Sequence, residues 1–157
     1  MTAPFISKPM LVEEQWLDFN GHLNMAFYNV LFDRGVDQVG DILGFGPAYR
    51  ERTGNTTFSA EFHLCYLREL HLGDQVTTSF QLLDYDAKSF HFYQELTHVD
   101  GWTAATGEGI GLHIDQSGPK VAPMPEGILA KFAALSEQHR SLPRPSRVGR
   151  VMGIRHK

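Results

Sequence analysis

The chain has 157 residues, the size of a single domain, and its composition of 42% hydrophobic and 20% charged residues excludes disorder as the dominant state. The formal net charge is −4, yet residues 143–157 carry five Lys and Arg residues and no acid. An acidic body with a basic tail lacks the basic footprint of a nucleic-acid-binding protein. We therefore predict a domain at residues 1–142 and a basic, flexible tail at residues 143–157.

Targeting and redox signals are absent from the sequence. No apolar run approaches the ~20 residues that cross a bilayer, and the N-terminus lacks the basic region and apolar stretch of a secretory signal. The single cysteine, Cys65, cannot form an internal disulfide and has no companion at a zinc-ligand spacing. We expect a cytoplasmic protein that binds no metal, no membrane and no nucleic acid.

A long helix is predicted to begin after Asn24. Residues 13–24 form a loop rich in turn and cap formers, and Asn24 suits the N-cap position. Apolar residues then recur at spacings of three and four as far as Leu43, and Gly44 ends the pattern. Because this helix is apolar over most of its girth, it belongs in the middle of the structure.

Four strand-like segments follow the helix. Turn signals separate them at residues 70–74, 84–88 and 98–102, and these connections are short enough for an antiparallel meander. A second helix is predicted from Glu126 to about His139. One long buried helix beside four strands indicates an α+β layer, whose exposed sheet edge favours self-association.

Alternation assigns side chains to the two faces of the first of these strands. Within residues 56–67 it places Phe58 and Phe62 on one face, and Glu61 and His63 on the other. Glu61 and His63 are therefore expected to point the same way.

The last strand, at residues 103–115, carries glycines on one face. Gly107, Gly109 and Gly111 alternate there and predict a smooth groove against which a helix packs closely.

The loop before the long helix carries a motif. Its pattern D-x-x-G-H-x-N consists of Asp18, Gly21, His22 and Asn24, and Tyr28 follows in the helix. This pattern resembles the signature of hotdog-fold acyl-CoA thioesterases of the 4-hydroxybenzoyl-CoA thioesterase type. The resemblance extends over roughly residues 8–140.

Three further features resemble the betainyl-CoA thioesterases of carnitine breakdown. They are the E-x-H of Glu61 and His63, the D-x-K-x-x-H turn at residues 86–91, and the L-H-I-D sequence that ends at Asp115.

The resemblance implies both a fold and an activity. The fold is an α+β hotdog, a curved antiparallel sheet wrapped around a long central helix, with a C-terminal helix. The activity is hydrolysis of a short acyl-CoA, betainyl-CoA above all, to free CoA and the carboxylic acid. No cofactor is implied, because CoA is part of the substrate. A homodimer or homotetramer with active sites between subunits is implied as well.

The catalytic roles follow from the motif. Asp18 supplies a carboxylate that acts as base or nucleophile, and free N–H groups of residues 24–27 stabilise the charge on the carbonyl oxygen. Gly21 allows a sharp turn. His22 and Asn24 orient the loop or polarise the substrate.

A second group of residues is expected to contact the substrate. Its members are Gly21, Trp16, Phe19, Met25, Tyr28, Phe58, Glu61, His63 and Tyr93. A quaternary ammonium acyl group donates no hydrogen bond and needs aromatic faces or a carboxylate. Trp16, Phe19, Phe58 and Tyr93 are the aromatic candidates and Glu61 is the counter-charge, with Glu61 and His63 reaching across from another subunit, as the family implies.

Alternatives remain open at this point. The same aromatic residues would suit an aliphatic or aromatic acyl-CoA. A hydratase or dehydratase on this fold would need a base at Cα of the acyl group, which the loop position of Asp18 disfavours. A non-catalytic acyl-CoA-binding or regulatory module would keep the pocket without the chemistry.

Overall fold

A computed structural model describes residues 3–157. Its helices are α1 (Met25–Leu43), α2 (Pro47–Thr53) and α3 (Glu126–His139), and a short 3-10 turn spans Glu14–Trp16. Its strands are β1 (Phe5–Ile6), β2 (Met10–Leu11), β3 (Asn55–Tyr66), β4 (Gln75–Tyr85), β5 (Ser89–His98), β6 (Thr103–Asp115) and β7 (Lys120–Val121). The long helix, the four long strands and the C-terminal helix confirm the predicted elements.

The sheet is antiparallel throughout, in the order β1-β4-β5-β6-β3. Strands β4, β5 and β6 form the predicted meander, but the prediction was wrong for β3, which pairs with β6 and not with β4. Residues 67–74 make the crossing. Their path is fixed by hydrogen bonds from the N–H groups of Leu67 and Arg68 to the Ala104 carbonyl, and from the Leu23 N–H to the Leu70 carbonyl.

Helix α1 is the central helix of the fold, as the resemblance implies. The Asn24 side chain caps it by accepting a hydrogen bond from the Ala26 N–H at 3.0 Å, and the helix ends at Gly44 with a φ of 94°. It buries residues such as Leu31 and Phe32 against the sheet. At Gly35 the helix lies so close to β4 that a Cβ would collide with the Thr78 hydroxyl.

The glycine face of β6 serves a different purpose from the one predicted. A Cβ on Gly107 would overlap the ring of Phe62, and Cβ atoms on Gly109 and Gly111 would overlap the rings of Phe92 and Phe90. Aromatic rings from the neighbouring strands β3 and β5 therefore fill the space above the glycines. The expectation that a helix packs directly in this groove was wrong.

A β-bulge interrupts β3 between Ser59 and Glu61. One extra residue reverses the alternation, because two residues of the bulged strand oppose one on its partner. Ser59 is paired with Gly111 on the inner, helix-facing side of the sheet, so Phe58, paired with Leu112, lies on the outer side. The prediction that Phe58 shares a face with Phe62 was wrong.

Helix α2 was not predicted. It begins with Pro47 directly after Gly46 and ends at Gly54, so both of its boundaries carry residues that otherwise signal a loop. Tyr49 anchors it, since the Tyr49 hydroxyl lies 2.8 Å from Nε2 of the buried His113.

The basic tail begins on the outer face of the sheet. The Gln81 side chain donates to the Pro143 carbonyl at 3.3 Å, and the Gly149 N–H donates to the Glu108 carboxylate at 2.8 Å. Residues 151–157 are exposed. Within residues 3–157, no helix has both the length and the apolar character needed to cross a membrane.

Candidate active site

Asp18 lies in a tight turn that leads into α1. Its Oδ1 accepts hydrogen bonds from the N–H groups of Asn20 at 2.9 Å and His22 at 3.4 Å, and the Asp18 N–H donates to the His22 carbonyl at 2.9 Å. Gly21 adopts a φ of 76°, a left-handed conformation that favours glycine. The motif residues therefore build a closed turn that fixes the Asp18 carboxylate beside the start of the helix.

The N–H groups at the start of α1 are mostly occupied. Asn24 donates to the Trp16 carbonyl, Ala26 donates to the Asn24 side chain, and Phe27 donates to the Asn24 carbonyl. In the part of the chain that the structure describes, these bonds leave the Met25 N–H without a protein acceptor. The group of donors expected from residues 24–27 is thereby narrowed to Met25, at the positive end of the helix dipole.

The Asp18 cavity, of about 350 Å³, lies beside this turn. Its lining residues are Asp18, His22, Leu23, Met25, Tyr28, Tyr66, Leu67, Arg68 and Glu69. The rings of Tyr28 and Tyr66 meet edge to face at 5.1 Å, and the Tyr66 hydroxyl donates to the Met25 carbonyl at 3.1 Å. Sequence reasoning placed Asp18, His22, Met25 and Tyr28 in one site, and the structure brings these four together.

Tyr28 stays protonated in this cavity. Burial raises the pKa of its phenol above the ordinary value of 10.0. A hydrogen bond from the Leu70 backbone opposes this shift, and the negative charges of Glu69 and Asp18 add to it. Its hydroxyl donates to the Arg68 carbonyl at 3.4 Å. Tyr28 therefore offers a neutral aromatic wall beside the Asp18 carboxylate.

The four aromatic residues expected around a cationic acyl group lie apart within one chain. Trp16 is buried in the core, stacked on Phe27, with the Arg34 guanidinium 4.9 Å above its ring. Phe19 is 99% exposed. Phe58 lies on the outer side of the sheet because of the bulge.

Tyr93 lies on that outer side as well, paired with Glu108, and is buried there. Burial raises the pKa of its phenol, and a hydrogen bond with the Thr106 side chain, followed by the charge of Arg147 in the tail, opposes that shift.

Glu61 and His63 line a second, outer-face cavity of about 470 Å³. Its polar wall also contains His91 and Glu108, which contact each other at 2.8 Å from Nε2 to Oε1. The backbone of Gly149 in the tail lies at its rim. Glu61 and His63 thus point the same way, as predicted, but within one chain they do not share the Asp18 cavity.

Two further cavities lie between α1 and β3, apart from the Asp18 cavity. A small cavity of about 190 Å³ includes Asn29 and Phe62, and a larger one of about 880 Å³ extends along the end of α1 as far as α2. Asp33, Asp37 and Asp41 follow this side of α1. Burial, and then the charges of Asp33 and Asp41, raise the pKa of the Asp37 carboxyl.

Sequence reasoning missed both this acidic row and a group of residues after β3. The spacing of four between Asp33, Asp37 and Asp41 was the available signal for the row. Arg68 and Glu69 line the Asp18 cavity, and their position depends on the crossing from β3 to β4, which no local pattern revealed.

Comparison with known proteins identifies relatives of the chain. The sequence profile of the thioesterase-like superfamily matches residues 12–132. A betainyl-CoA thioesterase from Pseudomonas aeruginosa is 38% identical over 147 residues, which cover 93% of this chain and 91% of that protein. An L-carnitine dehydrogenase/betainyl-CoA thioesterase from Rhizobium meliloti is 34% identical over 90% of this chain, and the match spans 29% of that longer protein.

A solved structure of similar shape also exists. A protein from Staphylococcus aureus, determined in complex with CoA, superposes with a TM-score of 0.90 at 30% identity and covers 97% of this chain and 96% of its own.

Proposed function

Because the chain belongs to the thioesterase-like superfamily, we propose that it is an acyl-CoA thioesterase in which Asp18 carries out hydrolysis. The observation that supports this most directly is the turn that fixes the Asp18 carboxylate in one cavity with Met25, the first residue of α1. A carboxylate and an amide donor are the two groups that thioester hydrolysis needs from a protein.

The proposed reaction uses these two groups together. Asp18 either takes a proton from a water molecule that adds to the thioester carbonyl, or attacks the carbonyl itself to give an anhydride that water then hydrolyses. The Met25 N–H donates to the carbonyl oxygen as negative charge develops there. In both routes the C–S bond breaks when the resulting tetrahedral intermediate collapses, and CoA leaves as a thiolate that gains a proton. In the second route this collapse is the step that forms the anhydride, before water hydrolyses it. The scheme uses no cofactor.

Replacement of Asp18 by asparagine tests the role of the carboxylate. An asparagine side chain keeps an oxygen that can accept the Asn20 and His22 hydrogen bonds, so the turn should survive. We expect kcat to fall by about 100-fold or more while the melting temperature stays close to that of the wild type. The matched control is Asp100→Asn, which changes a largely exposed aspartate in the β5–β6 turn. Near-normal turnover of the Asp18→Asn protein would remove Asp18 from the mechanism.

A non-catalytic module would give a different result in the same assay. It would bind CoA esters without releasing CoA, in both the wild type and the variant. Measuring acyl-CoA binding by calorimetry next to turnover separates the two functions.

For the acyl group, we propose betainyl or a similar short cationic acyl chain. The similarity to the Pseudomonas betainyl-CoA thioesterase supports this choice. In the Asp18 cavity, Tyr28 and Tyr66 offer aromatic surface, which attracts a quaternary ammonium. Glu61 of a neighbouring subunit remains the proposed counter-charge.

A pair of isosteric substrates tests this preference. Betainyl-CoA and 3,3-dimethylbutyryl-CoA have the same shape, but only the first carries a positive charge. We expect kcat/KM to be higher for betainyl-CoA than for 3,3-dimethylbutyryl-CoA. Tyr66→Leu should reduce the ratio of the two kcat/KM values by about 3- to 10-fold, because a cation over an aromatic ring is stabilised by about 1 kcal/mol. Equal kcat/KM for the two esters would leave the thioesterase in place and refute the cation preference.

We also propose a homodimer or homotetramer that works in the cytoplasm. Strand β3 supports the assembly, since it ends the sheet and pairs along one side only within residues 3–157. The lone cysteine, Cys65, is free, as expected for a reducing compartment.

A further inference from the structure

Contrary to the expectation from the sequence that no metal is bound, we propose that His22, Glu69 and His71 form a binding site for a divalent transition-metal ion of the Zn²⁺ type beside the Asp18 cavity, and that the bound ion inhibits hydrolysis. One ligand atom from each of these three side chains lies within 4.8 Å of the others. His22 and Glu69 line the Asp18 cavity, so the site opens on the proposed active site.

The backbone, and not chance contact of long side chains, brings the three residues together. His22 and His71 stand directly opposite each other in an antiparallel bridge, and the next residue pair is joined by the Leu23 N–H and the Leu70 carbonyl at 2.8 Å. Opposite residues in such a pair project to the same side. Their imidazole rings lie 4.9 Å apart, edge to face.

Glu69 reaches the same side because of its position in the chain. It is separated from His71 by one residue, Leu70, which is fully buried while Glu69 and His71 are exposed. Alternation across an extended segment therefore directs Glu69 and His71 outwards together.

A carboxylate behind His71 completes the arrangement. Asp74 accepts the His71 backbone N–H at 2.8 Å, and one of its carboxylate oxygens lies 3.9 Å from Nδ1 of the same imidazole. Ligating histidines commonly direct their second ring nitrogen at a carboxylate, which fixes the orientation of the ring. In the proposed site, Nε2 of His71 binds the ion while Nδ1 faces the Asp74 carboxylate.

The donor set selects the class of metal. Two imidazole nitrogens and one carboxylate oxygen, with a fourth position open to solvent, match the ligands of Zn²⁺ and related ions. Mg²⁺ and Ca²⁺ prefer oxygen ligands and would bind poorly here.

Occupancy of this site acts on Asp18. His22 belongs to the turn that holds the Asp18 carboxylate, and an ion bound in the same cavity attracts that carboxylate away from the thioester carbonyl. This inhibitory effect rests on the proposed function, whereas metal binding itself does not.

Direct binding is tested with Co²⁺ as a coloured probe. The full-length protein is treated with a chelator, dialysed and titrated with Co²⁺ while visible absorption and calorimetry are recorded. We expect one equivalent per chain, and affinity lower by about tenfold or more in His71→Ala and in Glu69→Gln. His156→Ala, which removes an exposed histidine of the tail, is the matched control and should bind like the wild type. Equal Co²⁺ affinity in wild type, His71→Ala and Glu69→Gln would overturn the proposal.

Inhibition is tested by adding Zn²⁺ to the hydrolysis assay, followed through loss of thioester absorbance because Zn²⁺ would bind released thiol. We expect Zn²⁺ to inhibit the wild type, and His71→Ala to keep its basal turnover while needing about tenfold more Zn²⁺ for the same inhibition. Equal sensitivity of the two proteins would overturn the inhibitory part. A wild type without turnover would refute the proposed function, and the Co²⁺ titration would still decide whether the metal site exists.

Discussion

His139 is a residue that the fold keeps uncharged. It is buried at the end of α3, and its Nδ1 accepts the Leu82 N–H at 2.9 Å, next to the irregularity in β4. Burial lowers the pKa of this imidazole below its ordinary value of 6.5. A proton on Nδ1 would also remove the acceptor that the Leu82 N–H needs.

The sign of the pH effect follows from this shift. Because the folded pKa is the lower one, the unfolded chain binds the proton first as pH falls below 6.5. We expect the contribution of His139 to the free energy of unfolding to be complete above that pH and to decline between it and the lowered folded pKa. Urea unfolding at pH 7.5 and 5.5 measures the decline.

His139→Gln supplies the comparison for this measurement. Effects of pH that do not involve His139 are shared by wild type and variant and cancel in the difference between them. The variant should be less stable at pH 7.5 and should lose less stability than the wild type on acidification. An equal loss in both proteins would contradict the role given to His139.

Local interactions made the positions of some side chains predictable from the sequence. The cap at Asn24 and the turn at Asp18 depend on neighbours within a few residues, so the sequence alone located them. Trp16 and Tyr93 were assigned to a pocket on residue type, but long-range packing buries the first under Arg34 and encloses the second on the outer face. Residue type does not reveal which distant segment will cover a ring.

Helix α1 packs very closely against β4 at one residue, Gly35. Gly35 packs against β4 where a Cβ would collide with the Thr78 hydroxyl and come within 3.3 Å of the Gln94 side chain. For Gly40, a little over one turn later, the nearest contact that a Cβ would make within residues 3–157 is the Phe45 Cβ, at 3.8 Å. The same substitution should therefore have opposite effects at the two positions.

We expect Gly35→Ala to destabilise the protein by about 1–3 kcal/mol through overpacking. Gly40→Ala should stabilise it by about 0.5–1 kcal/mol, because alanine is the better helix former and its methyl group has room. Urea denaturation of both variants gives the two free energies. A stable Gly35→Ala protein would show that α1 can move away from β4 at little cost.

Element types and boundaries were largely predictable, whereas pairing was not. Periodicity located α1, α3 and the four long strands, since each pattern is contained within its own segment. The position of β3 beside β6 and the bulge near Ala60 depend on which strands meet, and a run of alternating residues carries no information about its partner. The wrong prediction of the face that Phe58 lies on and the wrong pairing of β3 both have this origin.

The residues of the proposed active site lie in two separate places in the chain. Asp18 lies at the start of α1, while Glu61 and His63 lie on the outer side of β3, in a different cavity. An assembly in which Asp18 of one subunit meets Glu61 of another would join them, and the free edge of β3 favours such an assembly.

Subunit complementation tests this arrangement. Asp18→Asn and Glu61→Ala proteins, each expected to have little activity, are unfolded together in urea and refolded as a mixture. If the two residues act across the interface, each mixed dimer contains one intact site, and the mixture should recover about one quarter of wild-type activity. Light scattering and differently tagged subunits confirm that mixed dimers have formed. No recovery in the presence of mixed dimers would place both residues in the same subunit's site.

The glycine face of β6 has a consequence for how this sequence can change over time. Since the ring of Phe62 occupies the volume above Gly107, and Phe92 occupies that above Gly109, each glycine and its phenylalanine share one fixed space. A larger residue on β6 becomes tolerable only together with a smaller one on the neighbouring strand. Mutational drift along these strands should therefore proceed by paired exchanges, so that a lineage acquiring alanine at position 109 should also have lost the aromatic ring at position 92.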